Sequence, residues 1–293
     1  MKRIKERVLF GEILLSDGAW GTMLHSKGLK IGDCPERWNL ERRADVLDVA
    51  KSYVDAGSDM IETNSFGGSK FKLDYYGLGD RVVDVNRIAA EISREAAGDI
   101  VYVLGSVGPT GKMLLTGDVT KEELYECFGE QAKALEAGGA DAIVVETMFD
   151  LDEAKCAIKA AKENTKCEVI CTMTFDSSGT GFHTMMGTTP EVAARSLMEA
   201  GADIIGSNCG NGVENMVSIV RQMRSVDGKI PILVQANAGL PMVVEGKTIF
   251  PETPEAMARW INPLIDGGAN IIGGCCGTTP EHIRKIAEVV RAS

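Results

Sequence analysis

The feature of this sequence that most constrains its fold is a segment that occurs four times. In each copy a helical pattern stops at a glycine and a short apolar run follows. The copies are AGSDMI at 56–61, GGADAI at 138–143, AGADII at 200–205 and GGANII at 267–272. Glycine suits the left-handed residue that commonly ends a helix, and an unbroken apolar run suits a strand buried on both faces. The repeat predicts a helix, a tight turn and a buried strand.

Other apolar runs of strand length lie between these copies, at 13–15, 100–104, 169–173 and 232–234. Segments with helical spacing follow the runs, for example 46–56, 124–137 and 256–266. Such alternation is typical of parallel strands with helices packed outside them. Eight units predict an α/β fold, a (β/α)₈ or TIM barrel, whose functional site forms at the carboxyl ends of the strands.

Helix starts support this interpretation. Thr-Pro-Glu occurs at 189–191, 253–255 and 279–281, and each copy offers an N-cap hydroxyl, a first-turn proline and an acid near the positive end of the helix dipole. An open doubly wound sheet is the alternative, but no glycine-rich dinucleotide fingerprint follows the first strand. Because no linker divides the chain, we expect one barrel domain over 1–293.

Charge and cysteine usage narrow the function. A net charge of −11 disfavours a nucleic-acid partner, which needs a basic surface, and favours a small-molecule substrate. No apolar run is long enough to span a membrane, and no export signal is apparent. The eight cysteines are irregularly spaced, so free thiols or metal ligands are expected rather than a disulfide framework. The expected location is cytoplasmic.

The residues directly after the apolar runs are rich in reactive groups. In chain order they are Asp17-Gly18, Glu62-Thr63-Asn64, Gly105-Ser106, Glu146-Thr147, Thr174, Asn208-Cys209, Gln235-Ala236-Asn237 and Gly274-Cys275-Cys276. In a barrel they share one face. Three cysteines and three acids are therefore predicted to meet there.

The three thiols predict a metal site. Cys209 follows the sixth strand and the pair Cys275-Cys276 follows the eighth, so both strands point them at one gap. Three thiolates with an open fourth position are typical of catalytic zinc. A vicinal disulfide or simple packing of Cys275 and Cys276 is the competing interpretation. An alternative of another class is a non-catalytic barrel in which zinc only joins strand ends.

Five ordered motifs resemble one family, the homocysteine S-methyltransferases, which include the first domain of cobalamin-dependent methionine synthase and betaine–homocysteine methyltransferase. The motifs are DGAWGT at 17–22, TNSFGG at 63–68, GSVGPT at 105–110, GSNC at 206–209 and GGCCG at 273–277. The resemblance covers essentially the whole chain. It implies a barrel in which Cys209, Cys275 and Cys276 bind Zn²⁺, the homocysteine sulfur is the fourth ligand, and a methyl group is transferred to that sulfur to give methionine.

The resemblance also implies substrate contacts. Asp17 and Glu146 match the acids that hold the substrate ammonium. Backbone N–H groups in the turn from Ala19 to Thr22 would hold its carboxylate, and Gly18, Ala19 and Trp20 are expected to contact the substrate. Asn208 is expected to support the site by hydrogen bonds. For a single acid, a turn role for Asp17 or a capping role for Glu146 is the plain alternative.

The methyl donor is less constrained. Betaine enzymes of this family carry an aromatic residue where this chain has Gly67 or Gly68, and a tyrosine where it has Thr147. Their absence disfavours a quaternary ammonium donor. A methyl-corrinoid supplied by a separate protein fits best, and the apolar Phe182, Met185 and Met186 could form its docking lip, local packing being the alternative. S-methylmethionine is the second candidate donor.

Overall fold

The computed structural model describes residues 1–179, 181–244 and 247–292. Eight strands form one sheet, and all their pairings are parallel. They are β1 (Leu14–Leu15), β2 (Met60–Glu62), β3 (Tyr102–Val107), β4 (Ala142–Met148), β5 (Glu168–Met173), β6 (Ile204–Gly212), β7 (Ile232–Asn237) and β8 (Ile271–Gly274). Each strand from β2 to β7 pairs with the next barrel strand along the chain, and β8 pairs with β1.

Asp59 closes the remaining seam of the barrel. Its backbone N–H donates to the carbonyl of Leu15 at 2.8 Å, and its carboxylate accepts from the N–H of Leu15 at 2.9 Å. Asp59 directly precedes β2, so these bonds join β1 to β2 where ladder pairing is missing. The predicted TIM barrel is confirmed.

Helices surround the barrel. The outer helices are α1 (Arg43–Ala56), α2 (Val82–Ala97), α3 (Lys121–Ala137), α4 (Leu151–Asn164), α5 (Pro190–Glu199), α6 (Val213–Arg224), α7 (Pro254–Ala258), α8 (Ile261–Asp266) and α9 (Pro280–Ala292). Thr189 and Thr253 cap α5 and α7 through their hydroxyls, and α9 begins directly after Thr279, as the Thr-Pro-Glu motifs predict.

One predicted helix is wrong in its extent. The helical pattern over 256–266 forms two short helices, α7 and α8, instead of one. Pro263 explains the break, because a proline ring clashes with the carbonyl four residues earlier and supplies no N–H for a continuous helix.

Shorter elements complete the described fold. Four further α-helices and three 3₁₀ turns are Ile4–Leu9, Trp20–Ser26, Trp38–Glu41, Lys70–Tyr75, Pro35–Arg37, Gly79–Arg81 and Leu114–Thr116. Antiparallel hairpins follow β5 and β7, and their strands are Asp176–Ser178 with Gly181–His183 and Met242–Val244 with Lys247–Ile249. No helix within the described ranges is long and apolar enough to cross a membrane.

The first helix, Ile4–Leu9, closes the amino-terminal end of the barrel. Ile4 and Val8 are buried in one cluster with apolar residues of the barrel strands. The carboxylate of Glu168, the first residue of β5, accepts hydrogen bonds from the N–H groups of Ile4 at 2.6 Å and Lys5 at 3.0 Å. This end is thus filled and apolar, which leaves the opposite end for chemistry.

Candidate active site

The barrel interior changes from apolar to polar toward the carboxyl ends of its strands. The buried polar side chains there include Glu62, Ser106, Glu146, Thr172, Asn208 and Gln235, which represent each of β2 to β7. Hydrogen bonds connect them across the barrel, because Gln235 Nε2 donates to Glu62 Oε1 at 2.6 Å and Thr172 Oγ1 donates to Asn208 Oδ1 at 2.7 Å. The polar layer forms the floor of a pocket.

The pocket opens above this layer. Its lining residues are 18–22, 35–36, 62–66, Ser106, 146–147, Cys209, Gln235 and 274–276. No lysine, arginine or histidine is among these lining residues of the described chain. The pocket therefore combines acids and thiols with no basic side chain, which suits a cationic ligand group or a metal ion.

Three cysteines converge at one side of the pocket. The sulfur atoms of Cys209, Cys275 and Cys276 lie within 4.8 Å of one another, and those of Cys209 and Cys276 are 3.9 Å apart. Metal–sulfur bonds of about 2.3 Å in a tetrahedral site place two sulfurs about 3.8 Å apart. The three thiols thus fit one metal ion, and Cys209, Cys275 and Cys276 all line the pocket, which can supply a fourth ligand.

The backbone turns sharply to aim these thiols. Cys209 has a φ of 58°, a left-handed conformation that is rare outside glycine. After β8 the N–H of Cys275 donates to the carbonyl of Ala236 at 2.7 Å, and Gly277 has a φ of 82°. A Cβ on Gly274 would lie 2.3 Å from the hydroxyl of Thr278, so this position needs glycine.

The thiols also affect one another electrostatically. Hydrogen bonds from Cys275 and Cys276 lower the pKa of the Cys209 thiol to about 3, and the same bonds together with burial hold the pKa of Cys275 well above its usual value. The amide of Asn237 also donates toward Cys209. Ionisation of Cys209 is therefore favoured by its two neighbours, and a bound cation would replace their protons.

A second residue with left-handed backbone, Thr147, lies beside the first. Thr147 has a φ of 59°, and its N–H donates to Asn208 Oδ1 at 2.8 Å. Asn208 Nδ2 in turn donates to Thr147 Oγ1 at 2.7 Å and to Glu146 at 3.2 Å. One amide side chain thus fixes the bulged ends of both β4 and β6.

Asp17, after β1, and Glu146, in the polar layer, have pKa values near neutrality. Burial raises the pKa of Asp17 to about 6, although its carboxylate accepts from Trp20 Nε1 and from the N–H of Glu62, both at 2.8 Å. Burial likewise raises the pKa of Glu146 to about 7, against a hydrogen bond from the Ser106 hydroxyl. Buried carboxylates without a countercharge favour a cationic ligand.

Comparison with known proteins identifies the relatives of this site. The sequence pattern of the family described as homocysteine S-methyltransferase matches residues 14–290. The chain belongs to the homocysteine S-methyltransferase family. This confirms the family resemblance and the predicted enzyme class, a methyltransferase.

Curated relatives are longer than this member of the family. The methionine synthase of Mycobacterium tuberculosis is 33% identical over 302 residues, which cover 97% of this chain and 25% of that protein. The methionine synthase of Mycobacterium leprae is 33% identical over 297 residues, which cover 95% of this chain and 24% of that protein. The chain spans about a quarter of the length of these relatives.

Solved structures agree in fold. The metallated form of the homocysteine methyltransferase MmuM from Escherichia coli superposes with a TM-score of 0.78 at 22% identity, covering 97% of this chain and 99% of that one. A methyltransferase from Methanosarcina mazei gives a TM-score of 0.63 at 11% identity, covering 98% and 96%. These likenesses support the barrel architecture.

The residues predicted from the family motifs meet at this pocket, in two groups. Those that line it are Gly18, Ala19, Trp20, Glu146, Cys209, Cys275 and Cys276. Asp17 and Asn208 lie behind the lining, where Asp17 orients Trp20 and Glu62, and Asn208 orients Glu146 and Thr147. The N–H of Ala19 already donates to Thr278 at 3.1 Å.

Sequence reasoning did not assign roles to Glu62, Ser106 or Gln235, although all three line the pocket. Their signal was present, because each follows or ends an apolar run at the expected face. The sequence could not show that Glu62 and Gln235, which are 173 positions apart, form a hydrogen bond inside the barrel.

Proposed function

We propose that this protein transfers a methyl group to the sulfur of homocysteine, giving methionine, with the homocysteine thiolate held by Zn²⁺ on Cys209, Cys275 and Cys276. The observation that carries the proposal is the convergence of three thiols on one side of a pocket whose floor is acidic. Family membership makes homocysteine the expected thiol. The arrangement accounts for both ends of that substrate.

The sulfur end needs ionisation before it can react. A free thiol is mostly protonated at neutral pH, and coordination to Zn²⁺ would deprotonate it and keep it available as a nucleophile. The chain contributes by fixing Cys209 on a strained backbone turn and Cys275 on a hydrogen-bonded one, so that a fourth ligand enters from the pocket. Asn237 hydrogen-bonds Cys209 and restrains that sulfur.

The amino-acid end matches the acidic floor. An ammonium group carries the positive charge that the pocket lining lacks, and Glu146 offers its carboxylate directly to the pocket. Asp17 acts indirectly, because its carboxylate holds Trp20 and the N–H of Glu62 in place. Backbone N–H groups of residues 20–22 are the proposed contacts for the substrate carboxylate, since the N–H of Ala19 already donates to Thr278.

A methyl-corrinoid is the proposed donor. The motif at 63–68 resembles the methionine synthase version, and two curated relatives carry that name. Thr147 stands where the betaine enzymes carry a tyrosine, so the pocket lacks that part of an aromatic cage. A separate protein would present the corrinoid at the barrel mouth, where its methyl group can reach the homocysteine thiolate.

The mouth offers an apolar surface for such a partner. Met185 is 70% and Met186 38% exposed after β5, and Leu240, Met242 and Val243 are exposed after β7. Phe182, in the first hairpin, is partly exposed. Flexible methionines adapt to a docking surface, and exposed apolar groups around a mouth favour a protein partner.

An assay with several methyl donors tests the proposal on the purified zinc-loaded protein. Methionine formation from homocysteine is assayed with methylcobalamin, a methylated corrinoid protein, S-methylmethionine and betaine. We expect turnover with the corrinoid donors and none with betaine. Turnover with S-methylmethionine alone would replace the donor, and no turnover with any donor would favour a non-catalytic zinc barrel.

X-ray absorption at the zinc edge tests the thiolate directly. Adding homocysteine should change the metal environment from three sulfurs and one lighter atom to four sulfurs, because the thiol must ionise to coordinate. The same amount of 2-aminobutyrate, which lacks the thiol, is the control and should leave the spectrum unchanged. An unchanged spectrum at saturating homocysteine would exclude direct coordination.

A further inference from the structure

Glu62, the last residue of β2, contacts both Asp17 and Glu146, the two acids that the family resemblance assigns to the substrate ammonium. Its backbone N–H donates to Asp17, its carboxyl lies within hydrogen-bonding reach of Glu146, and Gln235 Nε2 donates to Glu62 Oε1 at 2.6 Å. Glu62 is only 7% exposed, yet it lines the pocket. It therefore faces the same space as the substrate ammonium without an assigned role.

The groups around Glu62 carry no positive charge. The titratable groups that influence this part of the layer are Asp17 after β1, Tyr53 on α1, Glu146 on β4, and Cys209 and Cys275 at the metal site. All of them are neutral or negative. Three carboxyls this close cannot all ionise without a cation, because burial and like charge both penalise the ionised form.

Glu62 is strongly disfavoured from ionising in this cluster. Burial, Glu146 and Asp17 together hold the pKa of Glu62 well above its usual range, and burial also raises the pKa of Glu146 to about 7 and that of Asp17 to about 6. In the absence of ligand a neutral Glu62 can donate its O–H to the Glu146 carboxylate. Protonation of Glu62 thus removes one negative charge from a cluster that has no cationic partner.

Gln235 supplies a second, independent sign of a missing ligand. Gln235 Oε1 is buried and has no hydrogen-bond partner among the described residues, while its Nε2 is engaged by Glu62. A buried acceptor without a donor lowers the stability of the fold, so such an atom usually binds a ligand or a water molecule. Gln235 lines the pocket beside Glu62, where a group with several N–H donors can reach both.

We propose that Glu62 and Gln235 complete the ammonium site, and that Glu62 loses its proton when the substrate ammonium binds. This inference rests on the proposed function, since the ammonium is that of homocysteine. The O–H bond of Glu62 breaks, the proton leaves to solvent, and the ammonium replaces it with N–H donors toward Glu62, Glu146 and Gln235 Oε1. The charge of the acid cluster is then balanced by the substrate.

Proton counting separates this step from ionisation of the thiol. At about pH 8 homocysteine should release about two protons, one from its thiol and one from Glu62. The analogue 4-sulfanylbutanoate has no amino group and should release only the thiol proton. The analogue 2-aminobutyrate has no thiol and should release only the proton of Glu62. Calorimetry in buffers of different ionisation enthalpy measures each number on the unmodified, zinc-loaded protein.

Variants assign the proton to its residue. Glu62→Gln should reduce the proton release with homocysteine by about one and weaken homocysteine at least about tenfold, with unchanged zinc content. Glu153→Gln is the matched control, because Glu153 is a buried carboxyl that accepts from Thr110 outside the pocket. It should behave as the unmodified protein does.

The outcomes are distinguishable. Equal proton release by homocysteine and 4-sulfanylbutanoate on the unmodified protein would overturn the inference even if Glu62→Gln failed to fold. Unchanged proton release in a folded Glu62→Gln would do the same. If homocysteine did not bind to the unmodified protein at all, the proposed function itself would fail.

Discussion

Asn208 and Thr147 hold each other through a reciprocal pair of hydrogen bonds across the barrel. The N–H of Thr147 donates to Asn208 Oδ1 at 2.8 Å, and Asn208 Nδ2 donates to Thr147 Oγ1 at 2.7 Å. Thr147 and Cys209, the residue after Asn208, both have left-handed backbone. Such strain persists only where surrounding contacts fix it, and it is concentrated at functional sites.

Asn208→Ala should therefore weaken both halves of the site. Without the amide, Thr147 loses its restraint and Cys209 can relax away from the metal position. We expect zinc affinity to fall and the homocysteine KM to rise, each by about tenfold to a hundredfold. Zinc competition with a chromophoric chelator and steady-state kinetics measure these effects. Asn164→Ala, which removes an amide from the outer helix α4, should change neither.

Loss of any one thiol should abolish tight metal binding. Cys209→Ser, Cys275→Ser and Cys276→Ser each remove one of three ligands, and we expect loss of stoichiometric zinc together with activity. The barrel should still fold, because its core is independent of the site. Cys127→Ser, at a buried thiol on α3, is the control and should keep its zinc. Full zinc in any of the three site variants would remove that residue from the ligand set.

Much of the barrel could be predicted because its signal is local. Each copy of the repeated segment ends in a strand that the structure contains, namely β2, β4, β6 and β8. The helix Ile4–Leu9 was missed, since only Ile4 and Val8 mark its apolar face. Its position depends on Glu168, which is distant in sequence, and no local pattern reports such a contact.

The residues of the site also differ in whether a local sequence pattern or a long-range contact determines them. The cysteines could be predicted because each follows an apolar run, and strand ends share one face of a barrel. The left-handed conformations of Thr147 and Cys209 could not, because local preference disfavours them and they depend on contacts between residues distant in sequence, such as Asn208 with Thr147. The pKa of Glu62 likewise depends on acids that the fold brings together.

Stability should depend on pH through Glu146. Its pKa is about 7 in the folded protein against 4.5 for an unperturbed group, so the folded state binds more protons between these values. The contribution of Glu146 to stability is thus lost as pH rises from about 4.5 to about 7, by on the order of 3 kcal/mol. Glu146→Gln should remove this loss, so its free energy of unfolding relative to wild type should increase with pH.

Urea unfolding of metal-free protein at about pH 5 and about pH 8 measures this difference. The exposed Glu199→Gln serves as the control and should shift stability equally at both pH values. If Glu146→Gln and wild type changed in parallel with pH, Glu146 would not titrate in this range.

The closed end of the barrel should affect stability without affecting chemistry. Glu168→Ala leaves the N–H groups of Ile4 and Lys5 without their buried acceptor, which should lower the free energy of unfolding by about 2 to 3 kcal/mol. Zinc content and the homocysteine KM should stay unchanged, because Glu168 lies at the opposite end from the pocket. Glu6→Ala, at an exposed position of the same helix, should cost much less. Altered zinc content in Glu168→Ala would show that the two ends are coupled.

The last prediction concerns the exposed methionines at the barrel mouth. If a corrinoid protein docks there, Met185→Gln combined with Met186→Gln should slow methyl transfer from the methylated corrinoid protein by about tenfold or more, because adaptable apolar contacts are lost. Free methylcobalamin needs no docking surface, so its slower reaction should be unaffected by the same change. Loss of the methyl-cobalt absorbance follows both reactions without coupling enzymes. Leu9→Gln, at an exposed apolar position on the helix at the closed end, is the matched control. Equal slowing with both donors would indicate damage to the pocket, and no slowing with either would remove this surface from the docking site.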